Sequence, residues 1–419
     1  MARIGIIAPP TLGHVNPFLI IGKELLKKGH SVVFFQLEEM KQHVLDAGIE
    51  FHKIGRLIPS DTMKNMKQQL GQLSGIEAMR YWRKRQTGLF KIWFTELPSA
   101  IEKEKIDFLL VDQSDATGST IAEAKKIPYI TICMGLDMDW EKNIPPFFSV
   151  QPYDISPIAI RGNKMAMDEF VKDFNPLFES INNQREKYNL PMYDPYTNMY
   201  PVSPYAQIAQ IPTFLDYPRI EKPACFFNVG PFIDENPVKI MFPFEKLNGK
   251  PLVYISLGTI LNLRPDIFNL VGGSFNDIDA QLVVSLGNKD VALNLDIFPL
   301  DTIIVSYAPQ NEVLSKAKLC ITHGGMNTVM DALSNGVPVL VIPISFDQPG
   351  TAGRMKYLNV GEYIPYKSLS EKAINRTVKK IFSTNSYYEN SARMKEKFLE
   401  LNGVDHAIKI IEKTINEHV

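Results

Sequence analysis

The stretch that decides the reading of this chain is YAPQNEVLSKAKLCITHGGMNTVMDALSNGVPVLVIPISFDQ, residues 307–348. It opens Tyr307-Ala308-Pro309-Gln310 and passes through the strand-like run Leu319-Cys320-Ile321-Thr322. His323-Gly324-Gly325-Met326-Asn327-Thr328 then leads into a helical pattern that stops near Gly336. Pro338 to Pro343 is a second apolar strand, and Asp347-Gln348-Pro349-Gly350 closes the block. The order is strand, glycine turn, helix, strand, with polar residues only where strand ends meet helix starts. Open α/β sheets bind ligands at that edge. A helix start behind two glycines offers unpaired N–H groups to an anion, and a diphosphate is the expected ligand.

Outward from that block, the alternation of strand and helix continues in both directions. Ile4 to Ala8 reads as a buried first strand and Pro9 to Val15 as a loop with Gly13 at its tip. Asn16-Pro17 reads as a helix start, Asn as the cap and Pro at the first helical position, with the helix ending at Gly29. Strands follow at Ser31 to Leu37 and Ile49 to Ile54, separated by a helix over Glu38 to Ala47. Ser60 to Lys105 is a long, mostly helical interruption before the strand Phe108 to Asp112, a helix over Thr117 to Lys126 and the strand Tyr129 to Cys133. From Gly135 to Pro223 prolines and aromatics dominate, with one helix expected near Asn175 to Tyr188. The chain crosses to a second sheet near Asn228-Val229-Gly230-Pro231. Its strands are expected at Leu252 to Leu257, Ala280 to Leu286, Thr302 to Ser306, Leu319 to Thr322 and Val337 to Ile342. This pace predicts an α/β protein of two Rossmann-like, doubly wound parallel-sheet domains facing across a cleft. The boundaries fall at 1–228, 229–402 and a C-terminal helix, 403–419, that packs back on the first domain.

Composition narrows the class. The 419 residues exceed one ordinary core, and 45% hydrophobic with 22% charged content is that of a soluble globular chain. A formal net charge of −1 gives no pull towards nucleic acid. Cys133, Cys225 and Cys320 are widely spaced, without metal-ligand spacing, and read as reduced core residues of a cytoplasmic protein. No apolar run approaches the ~20 residues of a transmembrane helix. The first turn, Ala8-Pro9-Pro10-Thr11-Leu12-Gly13, is not the dinucleotide fingerprint of a dehydrogenase.

The block now carries a resemblance. Aromatic-Ala-Pro-Gln, Thr-His-x-Gly-x-Asn-Thr, an acidic residue, Gly-Val-Pro and Asp-Gln resembles the donor signature of the inverting GT-B UDP-glycosyltransferases. That superfamily takes in plant and animal UDP-glycosyltransferases and bacterial macrolide glycosyltransferases. Here the elements stand at Tyr307 to Gln310, Thr322 to Thr328, Asp331, Gly336 to Pro338 and Asp347-Gln348. Gly13-His14-Val15-Asn16-Pro17 and Ser256-Leu257-Gly258-Thr259 extend the match over the whole chain. Ala8-Pro9-Pro10, the Tyr at 307 and the run Asp347 to Gly350 are most similar to bacterial zeaxanthin glucosyltransferases.

The resemblance implies a hexose transfer from a UDP-sugar, most simply UDP-glucose, to a hydroxyl of an apolar small molecule, with inversion and with no other cofactor. Tyr307 would stack on uracil and the Ala308 backbone would read its edge. Gln310 and Asp331 would bond the ribose, and His323, Gly325, Met326, Asn327 and Thr328, with Thr259 in the facing turn, would line the diphosphate site. Asp347 and Gln348 would bond the sugar. Tyr307 stands where Trp is usual, and Asp331 where Glu is usual. His14, in the first loop, would be the general base, since deprotonating a hydroxyl requires a group with a pKa near working pH. Such an imidazole needs a carboxylate on its other nitrogen. Asp112 fits that place or else caps the next helix, and Asp115 is its rival.

Two Asp-x-Asp triplets, Asp137-Met138-Asp139 and Asp277-Ile278-Asp279, resemble metal-binding signatures but lie outside the donor block. A helix start can stabilise the leaving group instead, so no metal is expected. The basic, aromatic run from Met79 to Phe94 is either a peripheral membrane contact or an amphipathic helix on the core. The segment from Pro145 to Phe178 is expected to wall an acceptor pocket. The other classes to weigh are a UDP-sugar epimerase of similar shape and a non-catalytic nucleotide-sugar-binding partner protein. His14 argues against the first, and His14, Asp112 and the Asp347-Gln348 pair together argue against the second. Oligomeric state and acceptor identity leave no mark in the sequence.

Overall fold

A computed structural model of the chain describes residues 1–59, 61–234, 239–287 and 291–419. Ser60, where the long helical stretch was expected to begin, lies outside the described residues. The first sheet contains β1 (Arg3–Ile7), β2 (Ser31–Gln36), β3 (Glu50–Lys53), β4 (Phe108–Asp112), β5 (Tyr129–Cys133), β6 (Gln207–Ala209) and β7 (Phe226–Asn228). Their order is β3-β2-β1-β4-β5-β6-β7, all parallel. The second contains β8 (Leu252–Ser256), β9 (Gln281–Ser285), β10 (Ile303–Val305), β11 (Ala317–Thr322), β12 (Val339–Val341) and β13 (Gly361–Tyr363). These run β10-β9-β8-β11-β12-β13, also parallel. Helices cover both faces of such sheets, which is why central strands such as β4 and β8 are buried along their whole length.

In the first half the connecting helices are α1 (Leu12–Lys27), α2 (Lys41–Asp46), α3 (Thr62–Leu70), α4 (Gly75–Lys103), α5 (Ala116–Lys125) and α6 (Pro157–Lys187). The second half adds α7 (Pro265–Gly273), α8 (Gln310–Leu314), α9 (Met326–Ser334), α10 (Gln348–Tyr357), α11 (Glu371–Ser383), α12 (Asn385–Leu399) and α13 (Gly403–His418). The last of these returns to the first half. Its Ala407, Ile408, Ile411 and Ile415 join the apolar cluster of Ile4, Phe18 and Phe34, and Glu412 accepts from His30 at 2.6 Å.

Several local readings are corrected. Helix α1 begins at Leu12, four residues before the Asn16-Pro17 start that cap chemistry favours, so His14 lies in a first helical turn rather than a loop. Pro17 is tolerated inside the helix because the carbonyl it leaves without a donor, that of Gly13, finds another partner across the cleft. Helix α6 spans 31 residues, far more than the Asn175 to Tyr188 segment expected. Its true start carries a clear signal, Ser156 capping the Ala159 N–H ahead of Pro157. Pro176 in mid-helix hides the continuity of its apolar face, Met167, Phe170, Phe174, Leu177 and Ile181. Strands β6 and β7, three residues each, and helices α7 and α10 were not anticipated. Helix α10 takes Pro349 in its first turn, where proline is tolerated, and includes Gly350 and Gly353, poor helix formers held by packing. On α4, Met79, Phe90, Trp93 and Phe94 face the core while Arg80, Lys84, Arg85 and Lys91 remain exposed, as in an amphipathic core helix.

Candidate active site

In the first sheet the chain order reverses between β1 and β4, paired as Ile7↔Val111. The crevice beyond the carboxyl ends of these strands is where such folds bind ligands. It is built from the segment after β1 and the carboxyl end of β4. His14, in the first turn of α1, has its N–H bonded to the Thr11 carbonyl at 3.0 Å. Asp112 is the last residue of β4 and only 1% exposed. One of its oxygens lies 2.8 Å from His14 Nδ1, and the other accepts from the Ser114 N–H at 2.9 Å and hydroxyl at 2.6 Å. The helix cap falls to Asp115, which accepts from the Thr117 and Gly118 N–H groups at 2.8 Å each. That division leaves Asp112 for the histidine.

Burial opposes charge on the His14 imidazole, but Asp112 beside it and Asp347 opposite outweigh burial, and its pKa is raised above the ordinary 6.5. With Nδ1 hydrogen-bonded to Asp112, the hydrogen-bond pattern assigns the neutral tautomer with a free lone pair on Nε2.

The second sheet reverses between β8 and β11, so its crevice is formed by the turn at Leu257 to Thr259 and by His323 to Thr328. His323 is wedged between two glycines. A Cβ on Gly258 or on Gly325 would fall 2.6 Å from its Cε1, and Gly258 also has a positive φ of 72°. Burial lowers the pKa of this imidazole to about 4, with only its bond to the Ser256 backbone opposing. It is a neutral hydrogen-bonding group at any ordinary pH. Gly325 caps α9, so the first-turn N–H groups of Met326, Asn327 and Thr328 open into the crevice. The Met326 side chain itself is buried in the core, which leaves only its backbone for a ligand.

Gln310, the first residue of α8, accepts from the Tyr254 hydroxyl at 3.1 Å and donates to Asp331 at 2.6 Å. Burial pushes the Asp331 carboxyl up to about 6, against the hydrogen bonds from Gln310 and Asn311. Tyr307 presents a ring 44% exposed beside buried Ala308, and Thr259 is half-buried in the turn after β8.

Side chains of the two halves meet across the cleft. Asn327 Nδ2 donates to the Gly13 carbonyl at 3.3 Å, the one released by Pro17, and its Oδ1 accepts from Gln210 at 2.7 Å. Asp347 accepts from the Leu136 N–H at 3.4 Å, and burial raises its pKa while the charge on His14 opposes the shift. Gln348 turns its carbonyl oxygen back onto the Ile344 and Ser345 N–H groups, at 2.8 and 3.0 Å, and keeps its NH2 for other partners. Arg354, nearly two turns into α10, is anchored to Asp216 of the first half at 2.7 Å. Gln210, Leu136 and Asp216 were missed by sequence reasoning. Each acts through a partner more than a hundred residues away, and no local pattern marks it.

Both Asp-x-Asp triplets are engaged elsewhere. Asp137 pairs with Lys222, Asp139 with Arg219, Asp277 with Lys379 and Asp279 with Lys250. Among the described residues no cluster of three or more His, Cys, Asp or Glu side chains could hold a metal, and no helix is long and apolar enough to cross a membrane.

Two parallel Rossmann-like sheets with facing crevices define the GT-B fold. Residues 8–412 match the sequence model of the family described as "UDP-glucoronosyl and UDP-glucosyl transferase", and the chain belongs to that family. It is 27% identical over 421 residues to zeaxanthin glucosyltransferase of Pantoea ananas, covering 99% of this chain and 96% of that one. It is 26% identical over 418 residues to NDP-glycosyltransferase YjiC of Bacillus subtilis (strain 168), covering 98% and 96%. Among solved structures it resembles the glycotransferase of kitacinnamycin, with a TM-score of 0.75, 20% identity and 99% of each chain covered. Glycosyltransferase VinC, solved in complex with dTDP, gives a TM-score of 0.69 at 16% identity, covering 99% of this chain and all of that one. These structural likenesses establish the fold.

Proposed function

We propose that this family member is an inverting, UDP-glucose-dependent glycosyltransferase acting on a hydroxyl of an apolar small molecule. The observation that carries the proposal is His14, bonded through Nδ1 to buried Asp112 and facing Asp347 across the cleft. In the transfer, the acceptor oxygen attacks the anomeric carbon and its proton passes to His14 Nε2. The bond from that carbon to the diphosphate breaks, its electron pair leaving with UDP. Attack from the face opposite UDP inverts the centre, so an α-linked donor yields a β-glycoside. Asp112 holds the tautomer and stabilises the imidazolium. The charge gathering on the diphosphate is met by the N-terminus of α9, neutral His323 and Thr328, with Asn327 released from Gly13 and Gln210 to take part; on this reading no metal is required. Tyr307 stacks on the base, Ala308 reads its edge, and Gln310 with Asp331 bonds the ribose.

The similarity to the zeaxanthin enzyme supports glucose and an apolar acceptor. Arg80, Arg83, Lys84 and Lys91 line a groove of about 570 Å³ against Pro176, and this solvent face of the core helix α4 supports a peripheral contact with an anionic membrane surface. The test is His14→Ala: product detected by mass from UDP-glucose and an acceptor panel should vanish while UDP binding by calorimetry is retained. Equal loss of UDP binding would remove the base assignment.

A further inference from the structure

The segment 344–348 delivers Asp347 to the cleft through an unusual backbone. Phe346 has a φ of +60°, the left-handed region that aromatic residues rarely occupy. Such a conformation persists only where neighbours over-determine it, and it clusters at functional sites. Here the neighbours are identifiable. Before it, the Ile344 carbonyl accepts from the Gly75 N–H at 2.7 Å, and the Ser345 hydroxyl donates to the Gly75 carbonyl at 2.8 Å. Gly75 is the first residue of α4, the long helix of the opposite half. After it, Gln348 folds back onto the Ile344 and Ser345 N–H groups and closes the turn. The Phe346 ring meets Trp82 of α4 edge to face, with centroids 5.9 Å apart, and packs against both apolar clusters that straddle the cleft.

We propose that Phe346, held by Trp82, is a positioning residue that aims the Asp347 carboxylate into the cleft and couples the sugar subsite to α4. The left-handed turn at 346 reverses the chain between a segment fixed to α4 and the start of α10. Asp347 emerges from that reversal facing Leu136 and His14. Loss of the Trp82 contact frees the segment to adopt an ordinary backbone conformation, which rotates Asp347 out of register. The proposal rests on the reading of Asp347 as a sugar contact.

The experiment compares UDP and UDP-glucose binding by calorimetry in the wild type, Phe346→Ala, Trp82→Ala, Trp82→Phe and Asp347→Asn, with thermal melts to verify folding. Phe346→Ala and Trp82→Ala should each weaken UDP-glucose about tenfold, the worth of one charged hydrogen bond, and leave UDP unchanged. Trp82→Phe, which keeps an aromatic edge, should restore most of the affinity. In Phe346→Ala the acid limb of the pH–rate profile should also move to lower pH, because Asp347 no longer supports the His14 cation. Equal weakening of UDP and UDP-glucose, or no change in either where Asp347→Asn itself weakens UDP-glucose, overturns the proposal. If Asp347→Asn leaves UDP-glucose affinity intact, the sugar-contact reading fails on its own. The positioning role is then decided by the pH limb: a shift upholds it and a fixed limb ends it.

Discussion

Replacing Asp112 by asparagine tests the proposed mechanism at its narrowest point. The carboxylate is buried and takes three hydrogen bonds, one from His14 Nδ1 at 2.8 Å and two from Ser114. An asparagine keeps the shape and can still accept from Ser114, but its NH2 then faces Nδ1. A donor there forces Nδ1 to accept, which places the proton on Nε2, the nitrogen that must receive the acceptor's proton. Adopting the productive tautomer breaks the amide's bond to Nδ1, and the imidazolium then lacks the charge-assisted hydrogen bond that the Asp112 carboxylate gives it, a loss of about 2–3 kcal/mol, or roughly 30- to 150-fold in rate. The profile should shift as well. In the wild type the rate falls as pH drops through the raised pKa of His14; without the carboxylate, burial dominates and the limb moves to lower pH. Stability gives a second readout. A histidine titrating above 6.5 in the folded chain lends stability that is complete below 6.5 and fades as pH rises through the folded pKa. The melting gap between wild type and Asp112→Asn should therefore be wider at about pH 6 than at about pH 9. Initial rates over pH, with UDP affinity as the control, make the measurement. A variant within about threefold of wild type with an unmoved limb would refute the reasoning.

Four further outcomes rest on other residues. His323 titrates near 4 when folded and near 6.5 when free, so the unfolded chain binds the extra proton between those values. Stability should fall by about 3 kcal/mol as pH drops from 6.5 to 4, and His323→Gln should flatten that slope in denaturant titrations. Gly325→Ala would place a methyl 2.6 Å from the His323 ring and should weaken UDP binding sharply, at a stability cost of about 1–3 kcal/mol measured by the same titrations. Asp331 titrates near 6; if its carboxylate accepts a ribose hydroxyl, the KM for UDP-glucose should rise below pH 6, and in Asp331→Asn it should be high and flat. Sedimentation with anionic vesicles should retain the wild-type chain at low salt and lose Lys84→Glu/Lys91→Glu, whereas retention of that variant would place the contact elsewhere.

What could be read from the sequence was what is local. The block from Tyr307 to Gln348 was legible because β11, the His323 turn, α9 and β12 follow one another directly, and turn chemistry marks each junction. The two central strand pairs were legible for the same reason, as apolar runs at βαβ spacing. The pairing of His14 with Asp112 needed topology, since 98 residues separate them and only the reversal between β1 and β4 makes them neighbours. The start of α1 was misplaced because Asn16-Pro17 is a strong local signal that tertiary contact overrides: the Gly13 carbonyl freed by Pro17 is used by Asn327, 314 residues away. Phe346 gave no signal at all, because nothing in an aromatic residue announces a left-handed backbone.

The two histidines make the division of labour physical. Each sits at the reversal point of its own sheet, His14 after β1 and His323 after β11, yet their surroundings push them in opposite directions. His14 has carboxylates on two sides and is built to hold a proton. His323 has glycines on two sides and no carboxylate among the groups acting on it, so it resists a proton and stays a neutral hydrogen-bonding group. Separating titratable groups in this way assigns acid–base roles in an active site. A transfer that leaves a proton on the acceptor side and negative charge on the donor side needs that asymmetry. On the proposed mechanism the proton goes to the half that carries Asp112, and the anion to the half that offers a helix start. Asp347 is the exception, a carboxylate of the donor half that supports the cation of the other. Its aim therefore has to be set by contacts that cross the cleft, through Phe346 on Trp82 and Arg354 on Asp216.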